Sequence, residues 1–329
     1  MQQSIPNNAA QIAEAPERVD FEQRIQLLFQ QAKLLQPDLE KKDSSQIERG
    51  DVDLLTDRAG ITNTLNLRRQ TDKTFADRIK QFNGAGYGTG VFKQHLKDIK
   101  PLCANAGWKT ETADGDAKSS WAHLSSIAPK DEHEETLQSP EGTSIQVEYK
   151  TYFSLDQSGR EAANFVKRFV DAVPQIAQAI EQISTAHGNS KITFKFPGDL
   201  ELMLLHKDSL VIHTNKRELL PVIHERIAQI LTAAGVGLER DIRGNNGYDF
   251  KCKDPKYSGS YSQLLTAVLG GRMIAMMKKN PSLIEAQDLT NAKRYFNNAL
   301  ETYSKWTPER MIKRLGNLAA TDEEIAAES

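Results

Sequence analysis

The sequence predicts an α+β protein, with a βαββαβ-like antiparallel sheet, helices on one face, and flanking N- and C-terminal helical segments. Three observations carry this prediction. Residues 144–155 alternate apolar and polar side chains with the period of a strand. Residues 160–183 then switch to an apolar stripe of helical period. Between 191 and 252 strand, turn, strand, helix and strand signals follow in order, which completes the split βαβ pattern.

The first strand sets Ile145, Val147, Tyr149, Thr151, Phe153 and Leu155 on one face, with Gln146, Glu148, Lys150, Tyr152 and Ser154 on the other. Val166, Phe169, Val173, Ile176, Ile180 and Ile183 line the helix after it, and Gly188-Asn189 ends that helix. Ile192, Phe194 and Phe196 alternate with Lys191, Thr193 and Lys195 in a second strand, closed by a Pro197-Gly198-Asp199 turn. A third strand lies within Leu202 to His213, with Leu210 and Ile212 opposed in direction to Ser209, Val211 and His213. A second helix runs from about Pro221 to Ala234, stopped by Gly235 and Gly237, and Tyr248 to Cys252 makes a fourth strand. From Tyr261 onward the chain reads as helices.

The division expected from these patterns is a disordered leader at 1–20, a helical region at 21–143, the α+β unit with its C-terminal helices at 144–320, and an acidic tail at 321–329. A helix from Phe21 fades at Pro37, and only short helices are expected over 38–74. The run from Gly84 to Gly90 has glycine at every second position but fits neither G-x-x-x-x-G-K-S/T nor G-x-G-x-x-G, so it reads as a turn. Phe92, Leu96, Ile99 and Cys103 repeat at helical spacing, interrupted by Pro101. Residues 110–143 are polar and turn-rich, and read as a seam or a long loop.

Composition narrows the function classes. The 329 residues hold 42 Lys plus Arg against 44 Asp plus Glu, a balance unlike that of a protein wrapped along nucleic acid. No apolar run is long enough to span a membrane, and the N-terminus lacks the pattern of a Sec signal peptide. Two cysteines, Cys103 and Cys252, make neither a disulfide framework nor a Cys-based zinc site, so a soluble protein in a reducing compartment is expected. No nucleic acid, membrane, metal or cofactor is expected as a partner. His206, His213 and His224 lack metal-pair spacing, and no G-x-S-x-G is present.

The sheet face away from the helices gathers Lys150 and Tyr152 from the first strand, Lys195 from the second and His213 from the third. Two lysines, a phenol and an imidazole together suit an anionic substrate, and a lysine with a lowered pKa serves as a general base. The competing reading is an ordinary solvated face. Arg272 interrupts an apolar helix, as either a structural ion pair or a substrate anchor.

Several segments in order, namely FKQHLKDIKPLCANAGW, VEYKTYFSL, KITFKFPGD, KDSLVIHTNK and SGSYSQLLTAVLGGRMIAMM, resemble the Hop-A class of type III secretion effectors over roughly residues 80–280. That family is similar to the lyase domains of lanthipeptide synthetases and to phosphothreonine lyases, which remove phosphate by β-elimination without water or metal. The resemblance implies a bacterial effector secreted into a host cell by a non-Sec route, with a host protein or phosphoprotein as target and a secretion chaperone at the N-terminus. It aligns the lyases' Lys-x-His with Lys150-Thr151-Tyr152 and their second catalytic lysine with Lys195, and puts phosphate-holding positions near Lys207, His213 or Lys216, and Arg272. Tyr152 stands where the lyases have their histidine acid, and a phenol of ordinary pKa about 10 is the poorer proton donor at neutral pH. His213, on a neighbouring strand, is the candidate substitute; the alternative is a fold retained without its chemistry, a non-catalytic effector that binds a host protein through the sheet face or the terminal helices.

Overall fold

The alternating and helical stretches take their places in a computed structural model that describes residues 21–39, 41–43, 46–58, 72–103, 106–113, 116–126, 135–239, 249–252, 259–279, 298–299, 301–303 and 305–318. The expected leader, the acidic tail and most of the segment expected as a helix after Ser282 lie outside the described residues. The chain folds as α+β. Helices α1 (Phe21–Leu39), α2 (Arg49–Arg58), α3 (Asp72–Gly84) and α4 (Thr89–Ile99) come first. Then follow strands β1 (Ala106–Ala113), β2 (Asp116–Ser126), β3 (Thr136–Gln138) and β4 (Ser144–Leu155). Next are α5 (Ala162–Ala186), β5 (Ile192–Pro197), the short α6 (Leu200–Leu205), β6 (Leu210–Thr214) and α7 (Leu219–Ala233). Strands β7 (Leu238–Glu239) and β8 (Asp249–Cys252), then helices α8 (Tyr261–Lys279) and α9 (Pro308–Gly316), complete the described chain.

The sheet is antiparallel throughout. Its centre runs β8-β4-β6-β5, the order of the split βαβ unit that the pattern predicts. The polar stretch expected as a seam or loop departs from that expectation. Its first part forms β1 and β2, and β2 pairs with β5 from Trp121↔Pro197 to Ser125↔Thr193. Residues sequence reading assigned to the helical N-terminal region thus extend the same sheet. Sequence reading passed over these strands because the alternation in Trp121-Ala122-His123-Leu124 is short and its buried members, Ala122 and Leu124, are few.

The stripe predicted on α5 is buried along its length, from Val166 to Ile183, against Phe153, Leu155, Phe194, Phe196, Leu210 and Ile212. The face of α7 bearing Ile223, Ile227 and Leu231 joins the same cluster. Edge-to-face rings knit it further, with Phe169 and Phe196 centred 5.6 Å apart. Helices α3 and α4 pack there too, joined by a turn in which Gly86 takes φ +72° and Tyr87 is buried. The glycine run is therefore a helix–helix turn.

A second cluster joins α1, α2, α8 and α9. It also takes in Tyr152 and Val211, from the sheet face turned away from Phe153 and Ile212. That face is consequently not a plain solvated surface: Lys150 is 7% exposed and Tyr152 2%. Helix α2 approaches α8 closely at Gly270, where a Cβ would lie 2.5 Å from Thr56 Cγ2 and 2.7 Å from Val52 Cγ1.

Candidate functional site

Directly opposed residues of an antiparallel ladder present their side chains on the same face, with Cβ atoms about 4.5–5.5 Å apart. The register therefore writes out the site. Lys150 stands opposite His213, His213 opposite Thr193, and Thr193 opposite Ser125. In the adjoining row Tyr152 opposes Val211, Val211 opposes Lys195, and Lys195 opposes His123. Lys150, Tyr152, Lys195 and His213 thus share one face of three neighbouring strands. Glu148, two residues before Lys150, belongs to the same face.

His213 is the centre of this face. Its Nδ1 lies 3.0 Å from Glu148 Oε2, with both side chains largely buried. An ionised carboxylate only accepts, so Nδ1 carries the proton and donates it, and Nε2 keeps its lone pair. Burial pushes the imidazole pKa down to about 4; the Glu148 hydrogen bond opposes that shift, while the charges of Lys150 and Lys195 reinforce it. At neutral pH the ring is therefore an uncharged base, oriented by a carboxylate and flanked by two ammonium groups.

Lys195 is held from the other side. Its Nζ sits 4.9 Å from the centre of the Trp121 ring, a cation–π contact. Trp121 in turn meets His206 edge to face at 5.3 Å. His206 follows α6, a helix started by Asp199, whose side chain accepts from Leu202 N at 2.7 Å.

The remaining predicted residues are dispersed. Lys207 and Lys216, both half-buried, stand before and after β6, whose five residues separate them by about 14 Å or more. Arg272 lies on α8 and is half-buried, whereas the fully buried arginine among the described residues is Arg314 on α9. His224 is on the opposite side of the sheet, 2.9 Å from Thr151 Oγ1 and stacked on Phe153. The three histidines 206, 213 and 224 do not converge, and among the described residues no group of three or more His, Cys, Asp or Glu is placed to hold a metal ion.

No protein-family model, no curated protein and no solved structure matches the chain. The chemistry of the face itself carries the functional reading.

Sequence reasoning missed three members of the site. Glu148 was legible as a face-mate of Lys150 through strand alternation, but its partner is distant in the chain. His123 and Trp121 were hidden in the stretch read as a seam.

Proposed function

We propose that this face takes the phosphate of a phosphorylated threonine and removes it by β-elimination, the chain acting as a bacterial secreted effector on a host phosphoprotein. The observation that carries the reading is the neutral His213 imidazole, held by Glu148 and set between Lys150 and Lys195. Elimination needs a base for the α-hydrogen and cationic groups for the leaving phosphate. Uncharged at neutral pH, His213 is not the substitute acid that the resemblance implies; in this reading its Nε2 takes the α-proton, and the electron pair of that C–H bond forms the Cα=Cβ bond. The Cβ–O bond breaks with its electrons on oxygen, an ammonium of the lysine pair delivers a proton to that oxygen, and hydrogen phosphate departs. Water enters no step.

The test is mass spectrometry of a phosphothreonine peptide incubated with the full chain. Wild type is expected to yield the unsaturated peptide, and Lys195→Met or His213→Asn to lower the rate about 10²–10⁴-fold with unchanged circular dichroism. An intact peptide after prolonged incubation with wild type overturns the lyase reading for that substrate. A second reading is a non-catalytic effector that grips a host protein or a phosphopeptide. Tyr152 favours it, because at 2% exposure and within an apolar cluster it is poorly placed for the work of the lyases' histidine acid. Binding of the phosphopeptide without turnover, lost in the Lys150→Ala/Lys195→Ala double variant, supports that alternative.

A further inference from the structure

On the α5 side of the sheet, away from the Lys150–His213 face, an open cavity of about 520 Å³ lies between α3 and the loop from β4 to α5. Lys73, Arg78 and Arg160 line it with two hydroxyl residues, Thr74 and Ser158, and one carboxylate, Asp77. Gln81 Nε2 donates to Gly159 O at 3.0 Å and ties the loop to the helix. Asp156 Oδ1 accepts from both N and Oγ of Ser158, at 2.8 and 2.6 Å, so this carboxylate braces the loop as well as facing Arg78.

Arg78 is the unusual member. Its Nη1 is buried and has no hydrogen-bond partner among the described residues. A guanidinium remains protonated in proteins, so it cannot relieve that burial by losing its proton. Its neighbourhood instead contains two more cations and the first turn of α3, the positive end of a 13-residue helix. The 25-residue α5 begins beside the same loop, and no side chain caps its N-terminus. Three cationic side chains around one cavity, one of them an under-partnered guanidinium, are together complementary to one compact oxyanion.

We propose that this cavity is a binding site for a phosphate monoester, with Arg78 and Arg160 as its principal holders. The planar fork of arginine matches two phosphate oxygens at once, which Lys73 supports as a point charge. The occupant is a phosphorylated small molecule or side chain and not an anionic membrane surface. Asp77 and Glu161, both exposed at this edge, would face the like charge of an extended bilayer. The site shares no residue with the lyase reading and stands or falls separately from it.

The full chain, isotope-labelled, is titrated with inorganic phosphate and with O-phosphoserine while backbone amide resonances are followed. The amides of residues 73–74 and 158–161 are expected to shift with both probes. Arg160→Gln, a change at an exposed position that leaves packing untouched, is expected to weaken binding about tenfold, and Arg78→Gln/Arg160→Gln further. Lys195→Met is expected to bind as wild type does, whatever happens to lyase activity. A phosphoserine peptide binding more tightly than free O-phosphoserine identifies a protein-borne phosphate as the source, and equal binding a small molecule; both support the site. Absence of shifts at these amides overturns the proposal, as does undiminished binding by the double variant. Chloride shifting the same amides at the same concentration overturns the assignment to phosphate. Recruitment to phosphoinositide-containing phosphatidylcholine vesicles that inorganic phosphate fails to compete overturns it in favour of a membrane.

Discussion

Lowering the pH tests the environment of His213 without any ligand. The folded-state pKa is held down at about 4 by burial, against an ordinary value of 6.5 that the unfolded chain regains. Between these values the unfolded state binds a proton that the folded state refuses, so stability falls as pH falls from above 6.5 towards 4. The side chain is 16% exposed, which leaves little solvent screening to discount. Linkage over this interval makes the penalty about 2 kcal/mol at pH 5 and about 3 kcal/mol at pH 4. The measurement is urea unfolding followed by tryptophan fluorescence at steps from pH 7.5 to 5, for wild type and His213→Asn. Asparagine keeps a donor for Glu148 and removes the titrating ring. Groups remote from residue 213 contribute equally to both curves, so the difference reports residue 213 together with its Glu148, Lys150 and Lys195 neighbours. Wild type is expected to lose about 2 kcal/mol relative to the variant between pH 7.5 and 5. Curves that stay parallel across that range refute the assignment of a buried, neutral imidazole.

Two further outcomes concern the scaffold. Gly270→Ala places a methyl within 3 Å of both Thr56 and Val52, so it is expected to cost about 1–3 kcal/mol in urea unfolding; an unchanged midpoint would contradict the close approach of α2 to α8. Asp199→Ala removes the cap of α6 and is expected to cost about 1–2 kcal/mol. Because α6 leads into His206, the same variant is expected to alter tryptophan emission through Trp121, and unaltered emission would separate α6 from the site.

What the sequence made legible depended on range. Strand alternation in β4 and the stripe of α5 are local patterns, and each buries the residues it singled out, Phe153 and Leu155 on one element and Val166 to Ile183 on the other. Sharing a face is also local, which is why Lys150, Tyr152, Lys195 and His213 could be grouped before any register was known. Burial of that group was not legible, because the cover comes from helices at both ends of the chain packing as one cluster. The Glu148–His213 bond was equally out of reach, since only the β4–β6 pairing brings the two residues together. The sequence places the third strand within Leu202 to His213, yet capping by Asp199 winds Leu200–Leu205 into a helix and leaves the strand to begin at Leu210.

Strand β4 occupies an unusual place in the order of synthesis. Both of its long partners, β6 and β8, lie downstream, and Lys150 is paired across to His213 on one edge and to Asp249 on the other. As the chain leaves the ribosome only residues 144–146 of β4 have a partner already made, the upstream β3, and the edge that takes β8 stays open along residues 147–150 until residue 252 has been made. Pairings of such long loop length form slowly, so folding of this sheet is governed by chain closure more than by its fast local helices. A nascent or truncated chain ending before β8 exposes a hydrophobic strand with unmet backbone donors and acceptors, the kind of edge on which other chains add. The strand that completes the sheet beside Lys150 is therefore also the one that silences its aggregation hazard, and intactness through Cys252 is a condition of closing that edge.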